Sequence, residues 1–142
     1  TLAVEQANAA NPGCQLTVQK FLAPDSDLER LETAKTIIED PSVIGLLGPF
    51  FREQIDAMGE TLSEAGLAFA APNVRVPSVS THGWTNFIRG IPTNEQGAIA
   101  VANYLTKRLG LTRVCIVAAE YPESIAAAEV IEDQAGPAVD ET

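Results

Sequence analysis

Arg52 and Arg75 are the residues of this sequence best placed to do chemistry. Arg52 closes the run Gly48-Pro49-Phe50-Phe51-Arg52, and Arg75 closes Pro72-Asn73-Val74-Arg75. A guanidinium offers a planar fork of donors that meets a carboxylate with two parallel hydrogen bonds. Two readings stay open for the pair: an anion-binding couple, or loop arginines that are solvated or matched with surface acids. Tyr121 follows a third apolar run and is a further ligand candidate, with Phe51, Asn73 and Val74 beside the arginines. Other chemistry is sparse. His82 is the single histidine, and no Gly-x-Ser-x-Gly accompanies it, so a base oriented toward a nucleophile is not expected. No Walker-type or Gly-x-Gly-x-x-Gly loop follows an apolar run, which leaves nucleotides without a phosphate cradle. Cys14 and Cys115 form no metal motif. Trp84 is expected to pack under its loop, and the acids Glu29, Glu32, Glu39 and Asp40 to form a solvated helix face. We therefore expect no enzyme, no cofactor and no metal.

The bulk composition points the same way. Nine Lys and Arg lie scattered among nineteen acids, for a formal charge of -10, so a phosphate backbone finds no basic face and a nucleic-acid partner is excluded. Apolar residues make up 46% and charged residues 20%, a balance that can build a core. No stretch approaches the roughly 18 apolar residues of a spanning helix.

The elements that must position these residues alternate in type. Residues 2–10 read as a helix stopped by Asn11-Pro12-Gly13, and Leu16, Val18 and Phe21 as a short strand. Ser26 and Glu29 make a capping box ahead of a stripe of Leu28, Leu31, Ala34 and Ile38. Residues 43–47 form a continuous apolar run, expected as a strand covered on both faces. A helix with Ile55, Met58, Leu62 and Ala65 on one side follows, stopped by Gly66. Further strands are expected at 67–71, 87–89 and 114–118. Between the last two, Thr93 and Gln96 cap a helix with Ala98, Ala102, Leu105 and Leu109; a final helix spans 123–135. Strand-helix repetition with apolar strands predicts an α/β doubly wound parallel sheet. Ligands of such sheets bind beyond the carboxyl ends of the strands, where both arginine segments would lie. Free N–H groups at the helix starts there suit a carboxylate.

The ordered set Asp40-Pro41-Ser42-Val43-Ile44-Gly45, Gly48-Pro49, Glu64-Ala65-Gly66-Leu67, Pro72 and Pro77 resembles the first lobe of type I solute-binding proteins. Gly83-Trp84, Phe87-Ile88-Arg89, Gln96-Gly97 and Tyr104-Leu105 extend the match, and Leu2 through Ala10 resembles the first helix. The family is the leucine/isoleucine/valine-binding group that serves ABC transporters. The resemblance implies a two-lobed type I periplasmic-binding-protein fold, with a first lobe at 1–91 and the start of a second at 92–142. It also implies a signal peptide upstream, an extracytoplasmic location, a small-molecule ligand such as an amino acid or carboxylate, and a membrane permease as partner. The same lobes serve as sensor or regulatory domains in related proteins.

In the family pattern a Ser at the helix start after Gly-Pro and a Thr after the later Ser-Pro meet the ligand. The resemblance places Arg52 and Arg75 there, and Ala71 replaces the Ser before Pro72. Tyr121 matches a pocket-lining Tyr, with Pro122 in place of the following Gly. Either the ligand carries extra negative charge, or the pocket is a degenerate one that no longer binds. The opening residues read as helix interior, and the family's central first strand would precede residue 1. The first lobe is thus expected to lack that strand and the second to be truncated, so strands at 16–21 and 43–47 would flank an empty lane. Residues that fold alone in this way are expected to exchange strands with another copy or rearrange the edge. The resemblance also places Cys14 and Cys115 in different lobes, too far apart to pair.

Overall fold

In the computed structural model, which describes residues 2–22 and 24–138, helices cover a short parallel sheet. Helix α1 is Leu2–Ala10 and α2 is Asp27–Glu39. Strand β1, Leu46–Leu47, leads to α3, Arg52–Glu64, and β2 is Phe69–Ala71. A 3-10 turn at Pro77–Thr81 precedes β3, Phe87–Arg89. Helix α4, Asn94–Asn103, continues into a π turn, Tyr104–Arg108, and α5 is Pro122–Ala135. The described strands stand in the order β1-β2-β3, all parallel, with Leu46 opposite Phe69, Leu47 opposite Ala70 and Ala71 opposite Arg89.

The capping signals act where the residue types require. Ser26 Oγ accepts from the Glu29 N–H at 3.3 Å, and its hydroxyl donates to the Glu29 carboxylate at 2.7 Å. Thr93 and Gln96 form the full reciprocal box. Gly66 ends α3 at φ +71°, where a side chain would be strained. The core lies between α2, α3 and the sheet, with Ile37, Ile55, Leu62 and Phe69 each at most 1% exposed. Burying each such side chain contributes about 1.5–3 kcal/mol. Trp84 packs against Phe69 and Phe87 at the rim of this core, and its indole N–H donates to Glu60 at 2.9 Å. Helices α4 and α5 pack on each other, with small residues (Ala98, Ala102 and Ala135) buried outside the main cluster.

Several expectations need correction. Residues 16–21 form no strand, because a strand exists only through the hydrogen bonds of a neighbour and no described strand lies beside them. Residues 114–118 are also not a strand. Val114 donates to the Ala138 carbonyl at 2.6 Å, but Val117 is 93% exposed, so apolar composition there does not mark burial. The 43–47 strand is shorter and open on one side, with Ile44 and Leu47 exposed, instead of covered on both faces. The α2 stripe is rotated toward Ala34 and Ile37, leaving Leu28 exposed. Leu109 is exposed because the π turn, with Leu109 N–H bonded to Tyr104 C=O, shifts the expected spacing by a residue.

Candidate functional site at the carboxyl rim of the sheet

Because the three strands are parallel, the turns that leave β1, β2 and β3 share one rim. Hydrogen bonds tie these turns together. The Gly48 N–H donates to Ala70 C=O at 2.8 Å, Gly90 N–H to Ala71 C=O at 3.2 Å, and Asn94 N–H to Arg75 C=O at 3.0 Å. Gly48 itself has φ +138°, so the turn out of β1 needs a residue without a side chain.

The start of α3 is arranged by Gln54, a buried polar residue that the sequence reading passed over. Its Oε1 accepts from the N–H groups of Phe50 at 2.9 Å and Phe51 at 3.3 Å. Among the described residues the Arg52 and Glu53 N–H groups, at the positive end of the helix, have no acceptor. The signal for Gln54 was available: it occupies the third helical position, as Glu29 and Gln96 do, but follows Phe51 where those follow Ser26 and Thr93.

Arg52 offsets its unfavourable place in the first turn through two carboxylates. Nε lies 3.3 Å from Asp56 Oδ2, four residues along the same helix, and Nη1 lies 3.3 Å from Glu123 Oε1. Asp56 is a near neighbour in sequence, whereas Glu123 is 71 residues away. It occupies the first turn of α5, directly after Tyr121, so the pair brings the Arg52 and Tyr121 turns together. Tyr121 is fixed by the Ser124 and Ile125 N–H groups, which donate to its carbonyl at 3.0 and 3.1 Å, while the residue itself stays exposed.

The other candidates separate by burial. Phe51, Asn73 and Arg75 are exposed, and the Arg75 guanidinium has no partner among the described residues. Val74 is 2% exposed and belongs to the core, so it supports the turn from beneath. A third arginine, Arg89, also ends at this rim. Its Nη2 donates to Ser80 Oγ at 2.7 Å, and its buried Nη1 meets no acceptor among the described residues. His82 stacks on Trp84 with ring centroids 4.3 Å apart. Among the described residues no group of three or more His, Cys, Asp or Glu is arranged to hold a metal ion, and no helix is long and apolar enough to cross a membrane. Cys14 and Cys115 are free and exposed.

A cavity of about 420 Å³ lies elsewhere. Asp40, Pro41, Ile44 and Gly66–Ala68 line it, at the amino ends of β1 and β2. Its one carboxylate, Asp40, is already held by the Ser42 hydroxyl at 2.6 Å. A cavity of about 70 Å³ lies under the Gly48–Phe50 turn, lined by Phe21, Leu47, Gln54 and Met58 among others. The carboxyl rim, with its free N–H groups, cations and aromatic rings, remains the candidate despite the smaller volume, because those groups can hold a polar ligand.

No family model matches the chain, and no curated protein matches it. Solved structures do. An ABC transporter substrate-binding protein from Desulfitobacterium hafniense in complex with Leu superposes with a TM-score of 0.81 at 22% identity, covering 97% of this chain and 42% of that one. The branched-chain amino acid transporter substrate-binding protein LivJ from Streptococcus pneumoniae, in complex with isoleucine, gives 0.71 at 20% identity over 95% of this chain and 39% of its own. A leucine-binding protein, LivK, from Thermotoga maritima gives 0.65 at 18% identity over 98% and 41%. The chain therefore has the type I periplasmic-binding-protein fold, and it spans about two fifths of the length of these structures.

Proposed function

We propose that this chain is part of an extracytoplasmic solute-binding protein of an ABC transporter, which captures an amino acid or small organic acid between two lobes. Residues 1–91 would contribute to the first lobe and 92–142 would begin the second. The observation that carries the reading is the meeting of three turns at one rim: Phe51–Arg52 after β1, Asn73–Arg75 after β2, and Tyr121–Glu123 at the start of α5. In this reading the ligand carboxylate is met by the Arg52 and Glu53 N–H groups and by the Arg75 guanidinium, through charge-assisted hydrogen bonds. Phe51 and Tyr121 provide exposed aromatic walls, and Val74 holds the second turn in place. Closing the lobes on the ligand would present the loaded protein to a membrane permease.

The substrate-binding proteins that share the fold, two of them with leucine or isoleucine bound, support the choice of ligand class. A thermal-shift panel of amino acids and carboxylic acids on the full chain tests it. A ligand that binds the folded state alone at a hundred times its Kd raises stability by about 2.7 kcal/mol. At least one member of the panel is expected to raise Tm by several degrees, with Arg75→Ala weakening the effect. No rise with any amino acid or carboxylate would overturn the reading.

A further inference from the structure

Resting on that reading, we infer that Glu123 is a specificity-determining residue, which occupies Arg52 and so turns the rim against ligands carrying a second negative charge. Arg52 contributes one positive charge and is held by two carboxylates, Asp56 and Glu123, both at 3.3 Å. The three groups sum to one negative charge. Glu53 stands next to Arg52 and Glu120 next to Tyr121, so the neighbouring residues add no cation to that corner. Arg75 has no partner among the described residues and is exposed, so one ligand carboxylate has a cation to meet there. A second anionic group that reached Arg52 would meet a cation already shared with Asp56 and Glu123, and it would stand beside the Glu123 carboxylate as a like charge.

The two acids are not equivalent. Asp56 lies four residues from Arg52 on the same helix, a spacing that brings such side chains together in any exposed helix. Glu123 comes from a different helix, and the pair links two turns that the fold holds at the candidate site. With side chains 50% and 35% exposed, the bridge adds little to stability. Its effect is therefore electrostatic and local, on whatever enters between the two helix starts.

The test measures L-glutamine and L-glutamate, which are nearly equal in shape and differ in charge, by calorimetry on the full chain. Glu123→Gln is expected to raise the affinity for glutamate relative to glutamine by about tenfold, the effect of removing one like charge at close range in a half-solvated site. The double variant Arg52→Gln with Glu123→Gln is expected to lose that gain, since the freed guanidinium is what receives the second carboxylate. Unfolding temperatures of the variants are expected to stay close to that of the parent. An unchanged glutamate-to-glutamine ratio in Glu123→Gln, or a gain that persists in the double variant, overturns the inference and leaves solute capture standing. Failure of both probes in every variant overturns it as well, and capture itself falls only if the wider panel also shows no binding.

Discussion

Replacing Gly59 by alanine sets two effects against each other, and the structure decides which wins. Gly59 is buried in the middle of α3, where alanine ordinarily stabilises a helix by about 1 kcal/mol. A Cβ built there would come within 2.3 Å of Trp84 Cη2, 2.7 Å of Cζ3 and 3.0 Å of Cζ2. The indole has little freedom to retreat. It stands 5.7 Å from the Phe69 ring and edge-on to Phe87 at 5.9 Å, stacks on His82, and is tethered to Glu60. Overpacking of this kind costs roughly 1–3 kcal/mol, and more where the neighbour is a large pinned ring. The balance is a loss of about 1–2 kcal/mol, or a fall in Tm of roughly 3–8 °C for a chain of this size. Urea unfolding of Gly59→Ala measures it. Adding Trp84→Phe, which removes the distal ring atoms, is expected to make the double variant lose less than the sum of the two single losses. A Gly59→Ala protein more stable than the parent would show that helix propensity dominates and that the indole yields freely.

Asn86→Ala is expected to cost about 1–3 kcal/mol in the same assay, because Nδ2 donates to the Leu67 carbonyl at 2.7 Å and the truncation leaves that acceptor unpaired. The Ser42 hydroxyl and N–H hold the Asp40 carboxyl below its ordinary 3.8. A depressed folded value means that the contribution is present above about pH 4 and is lost as pH falls through the folded pKa. Ser42→Ala is expected to move Asp40 up toward 3.8 in an NMR titration, and no movement would contradict the hydrogen-bond assignment. Cys14 and Cys115 are both expected to react with a thiol reagent in the folded protein without reductant or denaturant, and protection of either would contradict its exposed position.

What was legible in the residues is what depends on near neighbours. The helices at 2–10 and 52–64, the Thr93–Gln96 box and the stop at Gly66 all follow from side chains within four positions, and all stand in the structure. The strands at 67–71 and 87–89 were also readable, because their apolar runs are flanked by turns, although β2 itself begins at Phe69. Residues 16–21 and 114–118 have the same local character and form no strand, since pairing depends on a neighbour that local sequence does not specify. The site divides in the same way. The common rim of Arg52 and Arg75 follows from parallel strands alone. That Glu123 reaches Arg52 depends on how α5 lies against the rest, and no spacing rule spans 71 residues. A wider principle could have raised it, since a cation in a helix's first turn attracts acids from any turn at the same rim.

The placement of Trp84 governs what a fluorescence experiment on this protein can see. It is the sole tryptophan, and it is seated against the cluster formed by α2, α3 and the sheet. The buried alanines of α4 and α5 lie outside that cluster. Indole emission will therefore follow the melting of one half of the chain, while circular dichroism registers helix loss throughout. If the α4–α5 pair opens at lower urea, the two signals will trace different midpoints, and their separation will measure how tightly the two packed regions are coupled.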